Sequence, residues 1–287
     1  MKDSKHTDIN EVKKGSSTSM KLGISSYTYT WSVGVPGHLP SVRMLELELL
    51  STASQLGMDR LQIADNLPLN AIGEERLQSL LAMASQLNIG LEVGARNMTP
   101  EHLEEYIEIA AFLRSPFLRF VIDGKDFKPK VEKVVSIIKE AEAQLKEKNI
   151  ILALENHDRL KATEFEEIIQ KCGSDMVGIC LDSVNSMGAG EGIETVTTRL
   201  APYTVNLHVK EFLVSRHSHM MGFTIEGRPL GEGQLPLTWM LDQLTDRCQS
   251  ATLELWTPPE SNIEDTIEKE HQWALTSSRN LKTIIKK

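Results

Sequence analysis

Four residues in the second half of the chain could hold a metal ion, because each one follows or interrupts a short apolar run. They are Glu155 after ILAL, Asp182 after ICL, His208 within NLHV and Glu254 within LELW. Two Glu, one Asp and one His form a hard, mostly oxygen ligand set that suits Mn²⁺, Mg²⁺ or Co²⁺, with positions left free for water or substrate oxygens. Because the set lacks thiolates, zinc is a less expected ion.

Each of these residues, taken alone, has an ordinary explanation. A Glu or Asp after a strand often caps a helix or lies in a solvated loop, and a lone His is usually a structural or surface residue. The four together are different, because carboxylates that meet without a cation would raise one another's pKa by repulsion. If the fold brings them together, the set predicts a bound divalent metal ion.

Short strand-like runs alternate with amphipathic helices along the chain, which is the pattern of a parallel sheet covered by helices. We expect eight strands, at 21–30, 61–64, 90–94, 117–122, 150–155, 176–181, 204–209 and 251–255. We expect helices at 41–56, 74–87, 99–113, 130–148, 163–173, 193–200, 237–244 and 263–285, and Thr163 with Glu166 fits a capping box. Eight such units match a closed (β/α)8 TIM barrel better than two doubly wound domains, and in a barrel the strand ends meet at one mouth.

The chain is predicted to contain a disordered polar N-terminal arm over residues 1–20 and one barrel domain over residues 21–287. Length alone permits one large domain or two small ones, but no Pro-, Gly- or Ser-rich linker divides the chain. A long Gly-containing connection without obvious secondary structure lies between residues 210 and 236. Connections of this length are usually functional or disordered, and Arg228 within this one could close over the substrate as part of a lid.

Composition argues against several classes of protein. With 31 Lys and Arg against 40 Asp and Glu, the formal net charge is -9, so nucleic acid is not an expected partner. The three Cys residues have no paired close spacing, which indicates neither a disulfide framework nor a cysteine zinc site. No apolar run approaches the ~18 residues of a membrane span, and the first residues lack the apolar centre of a secretory signal. We expect a cytoplasmic protein without a membrane partner. The sequence does not determine the oligomeric state, and a homo-oligomer is one of the possibilities.

The motifs around the four residues resemble those of the sugar phosphate isomerase/epimerase group of the xylose isomerase-like TIM barrel superfamily. The resemblance rests on ALENHD, LDSVNS, NLHVKEF, GRPLGEG and LELW, which occur in matching order and strand position along nearly the whole predicted barrel. It implies a xylose isomerase-like fold, with Glu155, Asp182, His208 and Glu254 as ligands of one divalent metal ion. It also implies that Glu155 and Glu254 form an acid/base pair. Ketose 3-epimerases, hydroxypyruvate isomerase, inosose dehydratase and 3-dehydroshikimate dehydratase belong to the group, so a role in carbohydrate metabolism is implied.

The chain departs from the ketose 3-epimerases at Asn185, where those enzymes carry a His three residues beyond the sixth-strand Asp. Their way of recognising substrate oxygens therefore does not transfer directly, although Asn185 stays among the expected substrate contacts. The superfamily's DNA-repair endonucleases need additional His ligands for a zinc cluster. The second and third strands here end in Asp65-Asn66 and Gly94-Ala95 instead, which disfavours that branch.

One constellation of this kind serves several reactions on a small sugar or keto-polyol substrate. Removal of a proton beside a carbonyl leaves an enolate, and a divalent cation that chelates the carbonyl and a neighbouring hydroxyl lowers the barrier. The leading interpretation is an isomerase or epimerase of a ketose or related sugar, phosphorylated or not, which acts by proton transfer through a metal-stabilised enediolate. The alternatives are a metal-dependent lyase or dehydratase of a keto-sugar, keto-inositol or dehydroshikimate-like substrate, and a catalytically silent sugar-binding barrel.

Five residues are expected to contact the substrate: His157, Asn185, Lys210, Arg228 and Trp256. His157 and Lys210 each lie two residues beyond a predicted ligand, Arg228 lies in the long connection, and Trp256 could stack on a sugar ring. Structural explanations compete with these roles. His157 could bond to a neighbouring loop, Lys210 could form an ion pair, and Trp256 could pack at the rim.

Overall fold

The computed structural model describes residues 20–285, in which eight parallel strands close into a barrel. The barrel strands are β1 (Lys21–Ser25), β2 (Arg60–Ile63), β3 (Gly90–Arg96), β4 (Phe117–Val121), β5 (Ile151–Glu155), β6 (Val177–Asp182), β7 (Thr204–Val209) and β10 (Ser250–Leu253), and β8 (Phe212–Arg216) with β9 (Phe223–Gly227) forms a separate hairpin. Barrel strands pair in chain order, and β10 pairs with both β7 and β1 to close the ring. The predicted TIM barrel is confirmed.

Helices cover the outside of the barrel. They are α1 (Thr30–Val33), α2 (Glu46–Gln55), α3 (Glu74–Leu87), α4 (Pro100–Phe112), α5 (Val131–Lys148), α6 (Ala162–Cys172), α7 (Ile193–Leu200), α8 (Leu237–Gln243) and α9 (Ile263–Ile285). None of the helices within residues 20–285 combines the length and the apolar character that crossing a membrane requires. Most of the N-terminal arm predicted for residues 1–20 lies outside the described residues, as do residues 286 and 287.

The barrel wall has two chemically different faces. Outward-pointing strand residues such as Leu61, Ile63 and Leu91 are buried in one large apolar core against the helices. The alternate residues Gln62 and Glu92 point into the barrel, where they are also buried. Because side chains alternate along a strand, a strand of this kind joins an apolar outer layer to a polar interior.

Several predicted boundaries were wrong for local reasons. β1 ends at Ser25, five residues before the predicted end, because the Ser25 hydroxyl accepts from the Tyr27 amide at 3.0 Å and starts a 3-10 turn. α6 begins at Ala162, so Thr163 and Glu166 lie inside the helix and do not form the predicted capping box. The Glu164 carboxylate instead accepts from the Lys161 amide at 2.8 Å.

The sequence suggested a connection without secondary structure between residues 210 and 236, and this prediction was wrong. The connection contains the antiparallel hairpin of β8 and β9, which pairs Phe212 with Gly227 at its base. Glu211 organises the segment that follows this hairpin. Its buried carboxylate accepts from the amides of Leu235 at 2.7 Å and Gly231 at 3.0 Å. Charge-assisted bonds to backbone amides are among the stronger hydrogen bonds, so the connection is anchored beside the barrel mouth.

Candidate active site

The four predicted ligands meet at the carboxyl end of the barrel. Glu155 ends β5, Asp182 ends β6, His208 is the penultimate residue of β7, and Glu254 directly follows β10. The Nδ1 atom of His208 lies 3.6 Å from Glu155 Oε2, 3.7 Å from Asp182 Oδ2 and 3.5 Å from Glu254 Oε1. All four side chains are buried. Four neighbouring strands therefore bring one imidazole nitrogen and three carboxylates to a common point.

Three atoms of this cluster are buried without a hydrogen-bond partner among residues 20–285, namely Asp182 Oδ2, His208 Nδ1 and Glu254 Oε1. Asp182 Oδ2 forms an ion pair with Lys210. The other ring nitrogen of His208, Nε2, contacts Gln62 Oε1 at 2.7 Å, so Nδ1 is the nitrogen left facing the carboxylates. A buried polar atom without a partner costs about 1–3 kcal/mol, and a cation held between these atoms would remove that cost. The donor set fits a divalent ion such as Mn²⁺, Mg²⁺ or Co²⁺.

Asp182 is oriented by its own loop. Its Oδ1 atom accepts from the amides of Val184 and Asn185, both at 2.8 Å, which leaves Oδ2 directed at the cluster. Oδ2 lies 2.9 Å from the Lys210 ammonium. Burial alone would raise the pKa of Asp182, but Lys210, His208 and the Val184 amide hold it far below its usual range. Asp182 is therefore ionised and directed at the cluster before any ion binds.

Glu155 is held from two sides. Its Oε2 atom accepts from Arg119 Nε, and its Oε1 atom accepts from Asn185 Nδ2 at 2.9 Å. Arg119, on β4 inside the barrel, also donates to Asp65 at 2.7 Å. Burial by itself would lower the pKa of Arg119, but Glu155 and Asp65 raise it well above its ordinary value. Glu155 therefore faces a permanent positive charge, and both of its oxygens are engaged.

Lys210 joins two of the ligand carboxylates. Its ammonium lies 2.9 Å from Asp182 Oδ2 and 2.9 Å from Glu254 Oε2, and 5.2 Å from the centre of the Trp256 ring. Burial would lower the pKa of Lys210, but Asp182 and Glu254 raise it well above its usual value. The structure contains the ion pair of Lys210 that the sequence analysis gave as the alternative to a substrate contact. The same ammonium also lines the cavity described below, so the two roles are compatible.

The remaining two groups of the cluster influence each other. Burial alone would raise the pKa of Glu254, but His208 and Lys210 keep it below its ordinary value. Burial would likewise lower the pKa of His208, but Glu254 and Glu155 raise it. A proton and a metal ion therefore compete for His208 Nδ1, as expected for a site whose affinity rises with pH.

Cys180 lies beneath the cluster, which the sequence reasoning did not foresee. Glu155, Cys180 and His208 are close enough to hold an ion, as are Asp182, His208 and Glu254. The thiol of Cys180 donates to Asn206 Oδ1 at 3.1 Å, and burial raises its pKa well above its ordinary value. A thiol that is protonated and already bonded is a poor ligand, so the carboxylate set describes the site better.

A cavity of about 220 Å³ opens above the cluster. Of the predicted substrate contacts, His157, Asn185, Lys210 and Trp256 line it. A second cavity of about 340 Å³ has a more apolar lining and shares Lys210 and Trp256 with the first. A larger groove, about 600 Å³, lies outside the barrel between α6 and α7, far from these groups. The cavities at the mouth are large enough for a small oxygen-rich molecule next to the cluster.

Arg228 is the one predicted substrate contact that does not line these cavities. Its guanidinium donates to the Gly227 carbonyl at 2.7 Å and pairs with Glu226 at 3.3 Å. Arg96 lines the mouth instead, with Nη2 3.0 Å from His157 Nε2 and Nε 3.4 Å from Asp65. The substrate roles of these residues stay predictions.

Sequence reasoning missed three residues that shape the site: Arg119, Arg96 and Gln62. Arg119 and Gln62 lie within strands, whereas the sequence prediction considered polar residues at strand ends. A signal was present, because each is a polar residue between apolar neighbours, as in FLRFV and RLQI. Asp65, at the end of the second strand, was noted but not assigned to the site. Tyr27 also belongs to the site, because it lines both cavities and donates to Asp65 at 3.0 Å.

Comparison with known proteins adds family information to this geometry. The sequence model of the family described as xylose isomerase-like TIM barrel matches residues 52–276. A curated protein, 3-oxo-isoapionate decarboxylase of Pectobacterium atrosepticum, is 29% identical over 268 residues, which is 92% of this chain and 96% of that protein.

Solved structures with the same fold also align along almost the full length. A xylose isomerase-like TIM barrel protein from Mycobacterium smegmatis, crystallised in complex with magnesium, superposes with a TM-score of 0.67 at 12% identity, covering 92% of this chain and 99% of that one. D-psicose 3-epimerase from Clostridium cellulolyticum H10, crystallised with D-tagatose, superposes with a TM-score of 0.66 at 17% identity, covering 91% and 99%. At these identities the two structures establish the fold alone.

Proposed function

The chain belongs to the xylose isomerase-like TIM barrel family, and we propose that it is a divalent-metal-dependent lyase that removes CO₂ from a small 3-oxo sugar acid. Glu155, Asp182, His208 and Glu254 would hold the ion. The alignment of nearly the whole chain with a 3-oxo-isoapionate decarboxylase supports this substrate class. The proposal develops the lyase alternative of the sequence analysis rather than its leading interpretation.

The observation that carries the proposal is the unequal state of the two expected acid/base residues. Both oxygens of Glu155 are engaged, by Arg119 and by Asn185, whereas Glu254 keeps Oε1 unpartnered among residues 20–285. Epimerisation by two opposed bases needs a free carboxylate on each face of the substrate. Decarboxylation of a 3-oxo acid needs no base to begin, because cleavage of the carbon–carbon bond itself releases the electron pair.

The charges of the site suit an anionic reactant. Glu155, Asp182, Glu254 and Asp65 bring four negative charges, and Arg119, Lys210 and Arg96 bring three positive ones. The protein alone therefore leaves one net negative charge, and a divalent ion turns it into one net positive charge. Such a site stabilises a single negative charge on the substrate or on the enolate derived from it.

The reaction would proceed by loss of the carboxylate group. The bond between the carboxylate carbon and C2 breaks, CO₂ leaves, and the electron pair is delocalised from C2 to the 3-oxo oxygen as an enolate, to which a proton then adds at C2. The divalent ion supplies positive charge beside that oxygen when it is bound. The Lys210 ammonium, which lines the cavity, would stabilise the same developing charge, and Arg96 would attract the anion at the mouth.

A second candidate is the isomerase or epimerase that the sequence favours. Glu155 and Glu254 lie at similar distances from His208 Nδ1, 3.6 Å and 3.5 Å, and Glu254 is held ionised as a base must be. If substrate binding drew Glu155 away from Asn185, the two carboxylates would face the substrate together. This candidate predicts proton exchange with solvent on a ketose and no release of CO₂.

The two candidates separate in one substrate panel. Chelator-treated protein is reloaded with Mn²⁺, Mg²⁺ or Co²⁺ and given 3-oxo sugar acids or ketoses, with spontaneous decarboxylation subtracted. We expect one CO₂ per substrate consumed in the metal-loaded protein, loss of this activity in Asp182→Asn, and full activity in the exposed control Glu147→Gln. Ketose conversion in D₂O without CO₂ would overturn the decarboxylase in favour of the second candidate. Absence of both activities and of stoichiometric metal would instead support a catalytically silent sugar-binding barrel.

A further inference from the structure

We propose that Gln62, inside the barrel below the site, is a positioning residue that sets which nitrogen of His208 faces the metal ion. The inference rests on the proposed metal site and assigns a role to a residue that touches neither the cavity nor the three ligand carboxylates. Gln62 lies in the middle of β2, across the barrel from β7, and is fully buried. Its Oε1 atom is 2.7 Å from His208 Nε2.

The Gln62 amide has only one orientation that satisfies its surroundings. Its Nε2 atom donates to Asn206 Oδ1 at 3.1 Å and to Glu92 Oε2 at 3.3 Å. A flipped amide would place its carbonyl oxygen against Asn206 Oδ1, an amide oxygen that can only accept, and its NH₂ group against His208. Because a buried amide adopts the orientation that pairs its donors with acceptors, Oε1 must face the imidazole.

The acceptor role of Asn206 is fixed in turn by its own neighbours. Asn206 Nδ2 donates to the Ser250 carbonyl at 3.3 Å, which can only accept, and to the hydroxyls of Ser250 at 2.8 Å and Thr252 at 3.0 Å. The thiol of Cys180 donates to Asn206 Oδ1 at 3.1 Å. Asn206 Oδ1 therefore faces Gln62 as an acceptor. The direction of each hydrogen bond along this chain, from the strand β10 to the imidazole, follows from the one before it.

The consequence for His208 is a defined tautomer. Gln62 Oε1 has no proton to give, so His208 Nε2 must carry the proton of their hydrogen bond. The lone pair for a metal ion is then on Nδ1, the atom that lies 3.5–3.7 Å from the three ligand carboxylates. Metal-binding histidines commonly donate their second nitrogen to such an acceptor, and loss of the acceptor weakens metal binding about 10- to 100-fold.

The test compares Gln62→Met with Thr252→Val. Methionine has nearly the shape of glutamine but no acceptor for His208. Thr252→Val removes hydrogen bonds from the same buried network, to Asn206 and to Glu92, without touching the contact between Gln62 and His208. Both variants are expected to lose stability, so stability alone does not identify the positioning role.

The first readout is Mn²⁺ affinity, measured by competition titration on protein shown to be folded by circular dichroism. We expect Gln62→Met to bind Mn²⁺ about 10- to 100-fold more weakly than the original protein, and Thr252→Val to stay within about threefold of it. Equal losses in both variants, or none in Gln62→Met, would overturn the proposal.

The second readout does not depend on metal. In protein labelled with ¹⁵N-histidine, one imidazole Nε2–H should be protected from exchange with solvent, and it should be lost in Gln62→Met but kept in Thr252→Val. A protected Nε2–H in a protein that binds no metal would contradict the proposed function and leave the role of Gln62 in orienting His208 intact. Absence of any protected Nε2–H in the original protein would refute that role. If Gln62→Met does not fold, this last measurement on the original protein still decides.

Discussion

Replacing Lys210 by methionine should make the stability of the folded protein depend on a bound metal ion. The Lys210 ammonium lies 2.9 Å from both Asp182 and Glu254, and all three groups are buried. Without it, two neighbouring carboxylates face each other in the barrel with no cation on that side. A divalent ion would compensate these same carboxylates, so we expect the variant to depend on metal for its stability far more than the original protein does.

The size of the effect follows from the two ion pairs. At an effective dielectric constant of about 20, charges 2.9 Å apart attract by about 6 kcal/mol per pair, and the cost of burying the ammonium offsets much of this. Removing one partner of a buried pair typically destabilises a protein by about 3–5 kcal/mol, because the other charge is left buried. Since whole domains are stable by only about 5–15 kcal/mol, Lys210→Met should be marginally stable in the absence of metal.

Urea unfolding in chelator and in excess Mn²⁺ measures this directly. We expect the metal-free variant to lose about 3–5 kcal/mol and to gain more from Mn²⁺ than the original protein gains. Lys269→Met is the matched control, because Lys269 pairs with Glu260 at the surface, at 2.6 Å, and should contribute at most about 1 kcal/mol whether or not metal is present. A loss below about 1 kcal/mol for Lys210→Met, or equal stabilisation of both proteins by Mn²⁺, would refute the reasoning. If the metal-free variant is unfolded, Mn²⁺ should restore its circular dichroism.

Three further outcomes are expected. Burial raises the pKa of Glu270 to about 7, so the folded chain keeps a proton that the unfolded chain loses near pH 4.5. The free energy of unfolding should therefore fall by about 3 kcal/mol as pH rises from about 4.5 to 7. Urea titrations at several pH values should show this loss in the original protein and not in Glu270→Gln. Gly227→Ala should destabilise the protein by about 1–3 kcal/mol, because a Cβ atom there would overlap the Trp256 backbone. The melting temperature should fall and KM should rise, and unchanged values would contradict that packing. Mn²⁺ affinity, measured by titration between pH 5 and 8, should rise with pH because protons compete for His208 Nδ1, and a flat profile would contradict that assignment.

The ligands could be predicted from sequence because they stand where the chain changes character. Glu155, Asp182, His208 and Glu254 each follow apolar residues that a parallel strand requires, and a barrel brings its strand ends to one place. Their number and chemistry then point to a divalent cation. The structure brings all four together as expected, although the identity of the ion and the catalytic roles stay predictions.

The second layer of the site was harder to see, because its residues lie inside strands. Arg119 occupies the middle of FLRFV and Gln62 the middle of RLQI. A single polar residue within an apolar strand is compatible with a solvent-facing position, with a bulge or with a polar interior. Only closure of the barrel determines which of these three environments the residue occupies. The hairpin of β8 and β9 escaped notice for a different reason. Several of its residues, such as Phe223 and Ile225, are exposed, so burial imposes no clean alternation on its sequence.

The polar interior accounts for how the site keeps its shape. An apolar barrel interior would leave His208 free to rotate and would supply no partner for its second nitrogen. Here Gln62, Asn206 and Thr252 connect β2, β7 and β10 through buried hydrogen bonds, and each bond restricts the orientation of the next. Above this network, Arg119 and Lys210 hold the carboxylates in place through ion pairs. The ligand atoms are thus positioned from below by amides and from the side by cations, so a metal ion would enter a site that already has its geometry.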